Sequence, residues 1–117
     1  MKIHFHIAKN KKAKVVADEL LSLYGQVDLS RAEVIVAVGG DGAMLAAMRE
    51  SITYNIPVFG LNRGNIGFLM NDFHKLNLIE RLKDANEIIV HPLEMVAVDS
   101  KNKKYVELAI NEVAIFR

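Results

Sequence analysis

The sequence predicts an α/β fold: an open, mostly parallel sheet with flanking helices, followed by the start of a β-rich second domain. Three observations predict it. Over residues 1–89, apolar strand-like runs alternate with stretches of helical period. Two glycine-rich turns, at 39–42 and 62–67, each follow directly on one of those runs. Beyond about residue 90 the strand-like segments succeed one another with only a polar turn between them.

Taken in chain order, Lys2 to Ala8 (KIHFHIA) alternates, with Ile3, Phe5 and Ile7 on one face of a strand and His4 and His6 on the other. Two imidazoles with no third ligand do not make a metal site, so ordinary sheet positions are expected. From Asn10 to Tyr24 the period becomes helical: Ala13, Val16, Ala17, Leu20, Leu21 and Tyr24 form a stripe, with Asn10 as the cap and Gly25 as the stop. Glu33 to Val38 (EVIVAV) is apolar after its first residue, which predicts an interior parallel strand covered on both faces. Helix formers follow at Ala43 to Glu50, with Met44, Leu45 and Met48 toward the core.

Pro57 to Leu61 predicts a third strand, the proline at its first position, where a missing N–H costs least. A helix over His74 to Lys83 is expected to pack through Leu76, Ile79 and Leu82. Strand, helix, strand, helix, strand predicts a parallel unit with right-handed crossovers, and ligands of such sheets sit beyond the carboxyl ends of the strands. Both glycine-rich turns then face one cleft. Leu93 to Val98 and Tyr105 to Phe116, joined by the polar turn at 99–104, predict a hairpin. Residues 90–117 are therefore expected to open a β-rich domain whose remainder is absent from this chain.

Composition narrows the function. The 117 residues fit one domain of ordinary size, and an apolar fraction of 51% supplies a core. Fifteen Lys and Arg against 14 Asp and Glu give a net charge of +1, which argues against nucleic acid or an anionic membrane as partner. There is no cysteine, hence no thiolate chemistry. The apolar opening is too short for a signal peptide, and no run reaches the roughly 18 residues of a membrane span, so a cytoplasmic location is expected. Basic clusters at Lys9, Lys11, Lys12 and Lys14 and at Lys101, Lys103 and Lys104 read either as solvated surface or as phosphate-binding groups.

Gly39-Gly40-Asp41-Gly42 stands between an apolar strand and a helix. Glycines allow a tight turn and a close backbone approach to a ligand, and the N–H groups of a helix start favour an anion. Asp41 would repel a phosphate, so it suits a hydroxyl, as acceptor or general base, or a magnesium ion; alternatively it caps the helix. An ordinary carboxylate is a weak base for a sugar hydroxyl, so its help would be to orient the hydroxyl and take the proton late. No GxxxxGK[ST] occurs, and Gly60, Gly64 and Gly67 have the wrong spacing for GxGxxG.

In the second glycine-rich loop Asn62 and Asn65 offer amides, Arg63 a fork of donors for phosphate, and Phe68 a ring for a base or ribose, or for the core. Asn111-Glu112 interrupts the apolar run VELAINEVAIF, where a bulge or a bound ligand would have to satisfy a polar side chain.

VAVGGDGAML at 36–45, PVFGLNRGNIGFL at 57–69 and ELAINEVAIFR at 107–117, in this order and separation, resemble the bacterial NAD kinase family across essentially the whole chain. The resemblance implies transfer of a phosphoryl group from ATP, or from polyphosphate, to the 2′-hydroxyl of the adenosine ribose of NAD, forming NADP. It implies Asp41 as the catalytic aspartate, Gly39, Gly40 and Gly42 shaping the loop, Phe68 beside the adenosine, and Asn111 and Glu112 in contact with NAD. It also implies Mg2+ or another divalent cation accompanying ATP, and a homodimer or homotetramer. Ala43 departs from the threonine common after GGDG. The family's β-rich second domain completes the NAD pocket, so a 1–117 polypeptide alone is expected to be inactive. Two other readings stay open: another GGDG-type kinase acting on a lipid or sugar phosphate, and a noncatalytic nucleotide-sensing module.

Overall fold

The computed structural model describes residues 1–63 and 70–85, and the backbone of two strands at 93–98 and 104–109. The chain divides into two compact units, Met1–Glu87 and Ile88–Arg117.

In the first unit, β1 (Ile3–Ile7), β2 (Val34–Gly39) and β3 (Val58–Asn62) form a three-stranded parallel sheet in the order β1-β2-β3. The registers place Phe5 beside Val36 and Val36 beside Phe59, so alternate residues of all three strands share a face. Every residue of β2 is buried, and Ile35, Val36, Ala37 and Val38 have no exposed surface, as an apolar interior strand requires.

On one face Ile3, Phe5, Val34, Val36, Val38 and Leu61 pack against α1 (Lys11–Tyr24) through Ala13, Val16 and Leu20, and against Leu78. On the other face Ile35 and Ala37 pack against α2 (Asp41–Tyr54) through Met44 and Ala47. A strand that is apolar on both sides leaves water only when both are covered. The chain steps the same way across the sheet from β1 to β2 to β3, yet makes one crossover on each face. The two crossovers therefore have opposite hand, and the expectation of right-handed crossovers fails at one of them.

Helix α1 starts and stops where the sequence predicts. The Asn10 side chain accepts the Ala13 N–H at 2.7 Å, and Gly25, at φ 77°, donates its N–H to the Leu21 carbonyl. Helix α2 is longer than the expected Ala43 to Glu50. Gly40 takes the cap position and Asp41 the first turn, where an acid is favoured by the helix dipole, and the helix continues to a left-handed Asn55. An unexpected 3-10 turn at Leu29–Arg31 leads into β2, its Leu29 packed beside Ile35 and Ala37.

The third helix, α3 (Leu78–Asp84), corrects the expected span His74 to Lys83. Asn77 is left-handed at φ 61°, which breaks the helical phase between Leu76 and Leu78. Leu76, expected in the core, is 59% exposed; Leu78 is fully buried in its place, with Ile79 and Leu82 packed beside it. The Tyr24 hydroxyl fixes this junction, donating to the Lys75 carbonyl at 2.5 Å and accepting the Leu78 N–H at 3.3 Å. It thereby satisfies an N–H that the first turn of α3 leaves unpaired.

Both sheet edges are closed by side chains as well as backbone. At β1, the Gln26 amide accepts the Phe5 N–H at 2.7 Å and donates to the Phe5 carbonyl at 3.1 Å. At β3, Asn71 donates its backbone N–H and its side-chain Nδ2 to the Gly60 carbonyl and accepts the Asn62 N–H. In the second unit β4 (Leu93–Val98) and β5 (Lys104–Ala109) pair antiparallel, with Leu93 opposite Ala109 and Val98 opposite Lys104.

Candidate functional site

The strands end together at the carboxyl edge of the sheet, where Ile7 pairs with Val38 and Gly39 with Asn62. Three turns leave that edge: Ala8 to Asn10 into α1, Gly40 into α2, and Arg63 into the second glycine-rich loop. The two glycine-rich turns are joined directly, because the Arg63 N–H donates to the Gly39 carbonyl at 2.7 Å. The described ends of the two turns thus lie at the same edge of the sheet, and residues 64–69 of the second turn, with the cleft expected between the two, lie outside the described residues.

The glycines of GGDG do different work. Gly39 is buried at φ +154°, and a Cβ there would lie 2.6 Å from the Ala8 Cβ and 3.0 Å from the Ala43 Cβ. Its bareness lets the turn after β1 and the first turn of α2 close on each other. At Gly40 and Gly42 a Cβ would meet nothing within 4 Å, so neither position is constrained by packing. The open space beside them is where a ligand could come close.

Asp41 is half-buried at the first position of α2, and Gly40, which makes no side-chain cap bond, occupies the cap. The aspartate thus stands one residue inside the position of a capping side chain. Asp41 lies where the strand ends and the helix begins, the place open α/β sheets present to ligands.

Asn62 ends β3, and its Oδ1 is buried without a hydrogen-bond partner among the described residues. A buried amide oxygen left in that state is an acceptor open to a donor on a ligand. The Arg63 guanidinium lies 4.8 Å from the centroid of the Phe73 ring, and its Nε is buried with no hydrogen-bond partner among the described residues. Stacking on an aromatic face holds this planar group in a fixed place. Phe68, Asn111 and Glu112 lie outside the described residues.

Sequence reasoning missed Ala8, whose closeness to Gly39 sets the first turn, and Asn71 and Phe73, which hold the chain that returns to β3. These are contacts between residues far apart in sequence, to which no local pattern points. The two β1 histidines are engaged in the sheet. His4 Nδ1 lies 2.7 Å from the Val27 carbonyl and His6 Nδ1 2.8 Å from Glu50 Oε1 on α2. Among the described residues no group of three or more His, Cys, Asp or Glu is placed to hold a metal ion, and no helix is long and apolar enough to cross a membrane. A groove of about 450 Å³ on the outer side of α1, lined by Leu23, Lys75 and Leu76, lies toward the opposite end of that helix from the glycine-rich turns.

The profile of the ATP-NAD kinase N-terminal domain matches residues 3–88. An NAD kinase of Caulobacter vibrioides is 40% identical over 116 residues, which cover 99% of this chain and 45% of the relative. One from Rhizobium meliloti is 44% identical, covering 92% of this chain and 42% of its own length. One from Brucella suis is 42% identical, covering 98% and 45%. The chain spans less than half the length of the curated relatives it matches.

Proposed function

The chain belongs to the ATP-NAD kinase N-terminal domain family, and from that membership we propose that the protein phosphorylates the 2′-hydroxyl of the adenosine ribose of NAD to give NADP, with ATP or polyphosphate as donor. One observation carries the reading at the level of residues: an aspartate at the start of α2, on a turn whose first glycine is bonded to the first residue after β3. That arrangement offers a hydroxyl acceptor beside backbone left bare for close approach.

In the proposed reaction the ribose 2′-oxygen attacks the terminal phosphorus of the donor, forming a new P–O bond as the bond to the leaving phosphate oxygen breaks. Asp41 holds the hydroxyl and takes its proton as the transfer proceeds. Positioning supplies most of the acceleration in such reactions, and a placed general base contributes about 10²–10⁴-fold. Asn62 would accept a hydrogen bond from the nucleotide through its Oδ1, and Arg63 would contribute positive charge. Phe68, Asn111 and Glu112 are proposed NAD contacts on the strength of their sequence motifs. A divalent cation would accompany the phosphates of the donor and offset part of their charge. Homo-oligomerisation and a cytoplasmic location belong to the same proposal.

The test is ATP-dependent conversion of NAD to NADP by the full-length gene product, with Asp41→Asn beside it. The expected result is activity in the parent and a fall in kcat of about 10²–10⁴-fold in the variant, with NAD binding retained. Folded parent protein that makes no NADP from ATP or polyphosphate overturns the reading. No relative described above favours a lipid or sugar-phosphate kinase or a noncatalytic sensor.

A further inference from the structure

We propose that Lys9, with Lys12 beside it, binds the phosphate chain of the phosphoryl donor. The inference rests on the kinase reading and names the part of the site that would hold the chain shared by ATP and inorganic polyphosphate.

The position of the turn after β1 is the first support. The Ala8 N–H donates to the Val38 carbonyl at 2.9 Å, and Ala8 fills the space that a side chain on Gly39 would need. Lys9 is the next residue, so it departs from direct contact with the first glycine of GGDG. Lys12 follows in the first turn of α1, beside the buried Ala13, and Lys14 lies further along the chain from Lys9.

Charge is the second. Lys9, Lys11, Lys12 and Lys14 are all exposed, the first turn of α1 contains no acid, and none of these lysines forms an ion pair among the described residues. The GGDG turn carries only the negative charge of Asp41, so it cannot by itself neutralise a donor bearing several negative charges. The other described cation following a strand at this edge, Arg63, has its guanidinium stacked on Phe73. One of the amides at the start of α1 is already taken, since the Asn10 side chain accepts the Ala13 N–H. The ammonium groups are what this turn offers, as point charges on long stems suited to a mobile phosphate chain.

The experiment compares the full-length parent with Lys9→Gln, Lys12→Gln and Lys14→Gln. Because the lysines are exposed, the variants are expected to fold. In Lys9→Gln the KM for the donor, ATP or polyphosphate, rises about tenfold while the KM for NAD stays within about twofold; Lys12→Gln shows a smaller rise and Lys14→Gln none. Inorganic tripolyphosphate, competitive with ATP in the parent, weakens as an inhibitor of Lys9→Gln by the same factor. A donor KM unchanged in Lys9→Gln, or equal increases for donor and NAD, overturns the proposal while leaving the kinase reading standing. If the parent makes no NADP, the kinase reading falls first, and calorimetric titration with tripolyphosphate decides the subsite. Weaker binding by Lys9→Gln than by the parent supports it; equal binding, or none by the parent, overturns it.

Discussion

The backbone N–H of Arg63 donates to the carbonyl of Gly39 at 2.7 Å, so the residue that opens the second glycine-rich loop hangs directly on the first glycine of GGDG. The two loops are then not independent. A displacement of Gly39 reaches Arg63 through one hydrogen bond, and Ala8 and Ala43 through packing.

Gly39→Ala and Gly42→Ala should separate packing from ligand approach. At Gly39 an added methyl meets two Cβ atoms at 2.6 and 3.0 Å in a backbone conformation with positive φ. Overpacking and strain together should cost about 2–4 kcal/mol, with loss of activity. At Gly42, exposed in the first turn of α2 with nothing within 4 Å, the same change should leave stability equal or raise it by up to about 1 kcal/mol. By the kinase reading, kcat/KM should nevertheless fall in Gly42→Ala. Chemical denaturation and initial rates measured on both variants check the contrast.

Gly60→Ala should be milder than Gly39→Ala. Its methyl would meet the sulfurs of Met70 at 2.6 Å and Met44 at 3.1 Å, both on unbranched, adaptable side chains. A cost of about 1–2 kcal/mol is expected. The companion change Met70→Ala should relieve part of it in a double-mutant cycle; strictly additive effects would show that the two sites do not touch.

Gln26→Ala removes both hydrogen bonds that close the outer edge of β1 at Phe5. A destabilisation of about 1–2 kcal/mol should follow. An uncovered edge also invites pairing with another chain. Light scattering at rising concentration should therefore show association in the variant beyond that of the parent.

Asn10→Ala deletes the side-chain acceptor at the start of α1 and should cost about 1 kcal/mol. Asn10→Asp should restore most of it, because the carboxylate accepts the same N–H. Thermal unfolding of the three proteins gives the answer.

Much of the fold is legible in the letters because its signals are local. EVIVAV has no polar face, so it reads as an interior strand, and every residue of β2 is buried. Asn10 and Gly25 bracket an apolar stripe, and α1 runs between them. GGDG reads as a strand-to-helix turn carrying an acid, and Asp41 begins α2. The α3 reading fails where one backbone angle overrides a periodic pattern: the left-handed Asn77 takes Leu76 out of the helix and gives its place in the core to Leu78.

What the sequence determined by itself, then, is the alternation of strands and helices, the exclusion of the Walker and Rossmann phosphate loops, and the family to which the motifs point. The tertiary structure alone decided that one crossover lies on each face of the sheet, that Gly39 is bare to admit Ala8 and Ala43 rather than only a ligand, and that Asn71 and Gln26 close the edges. The physical reason is range. Propensity, capping and hydrophobic period act between neighbours in the chain, whereas packing and edge pairing join residues that become neighbours only after the sheet has formed.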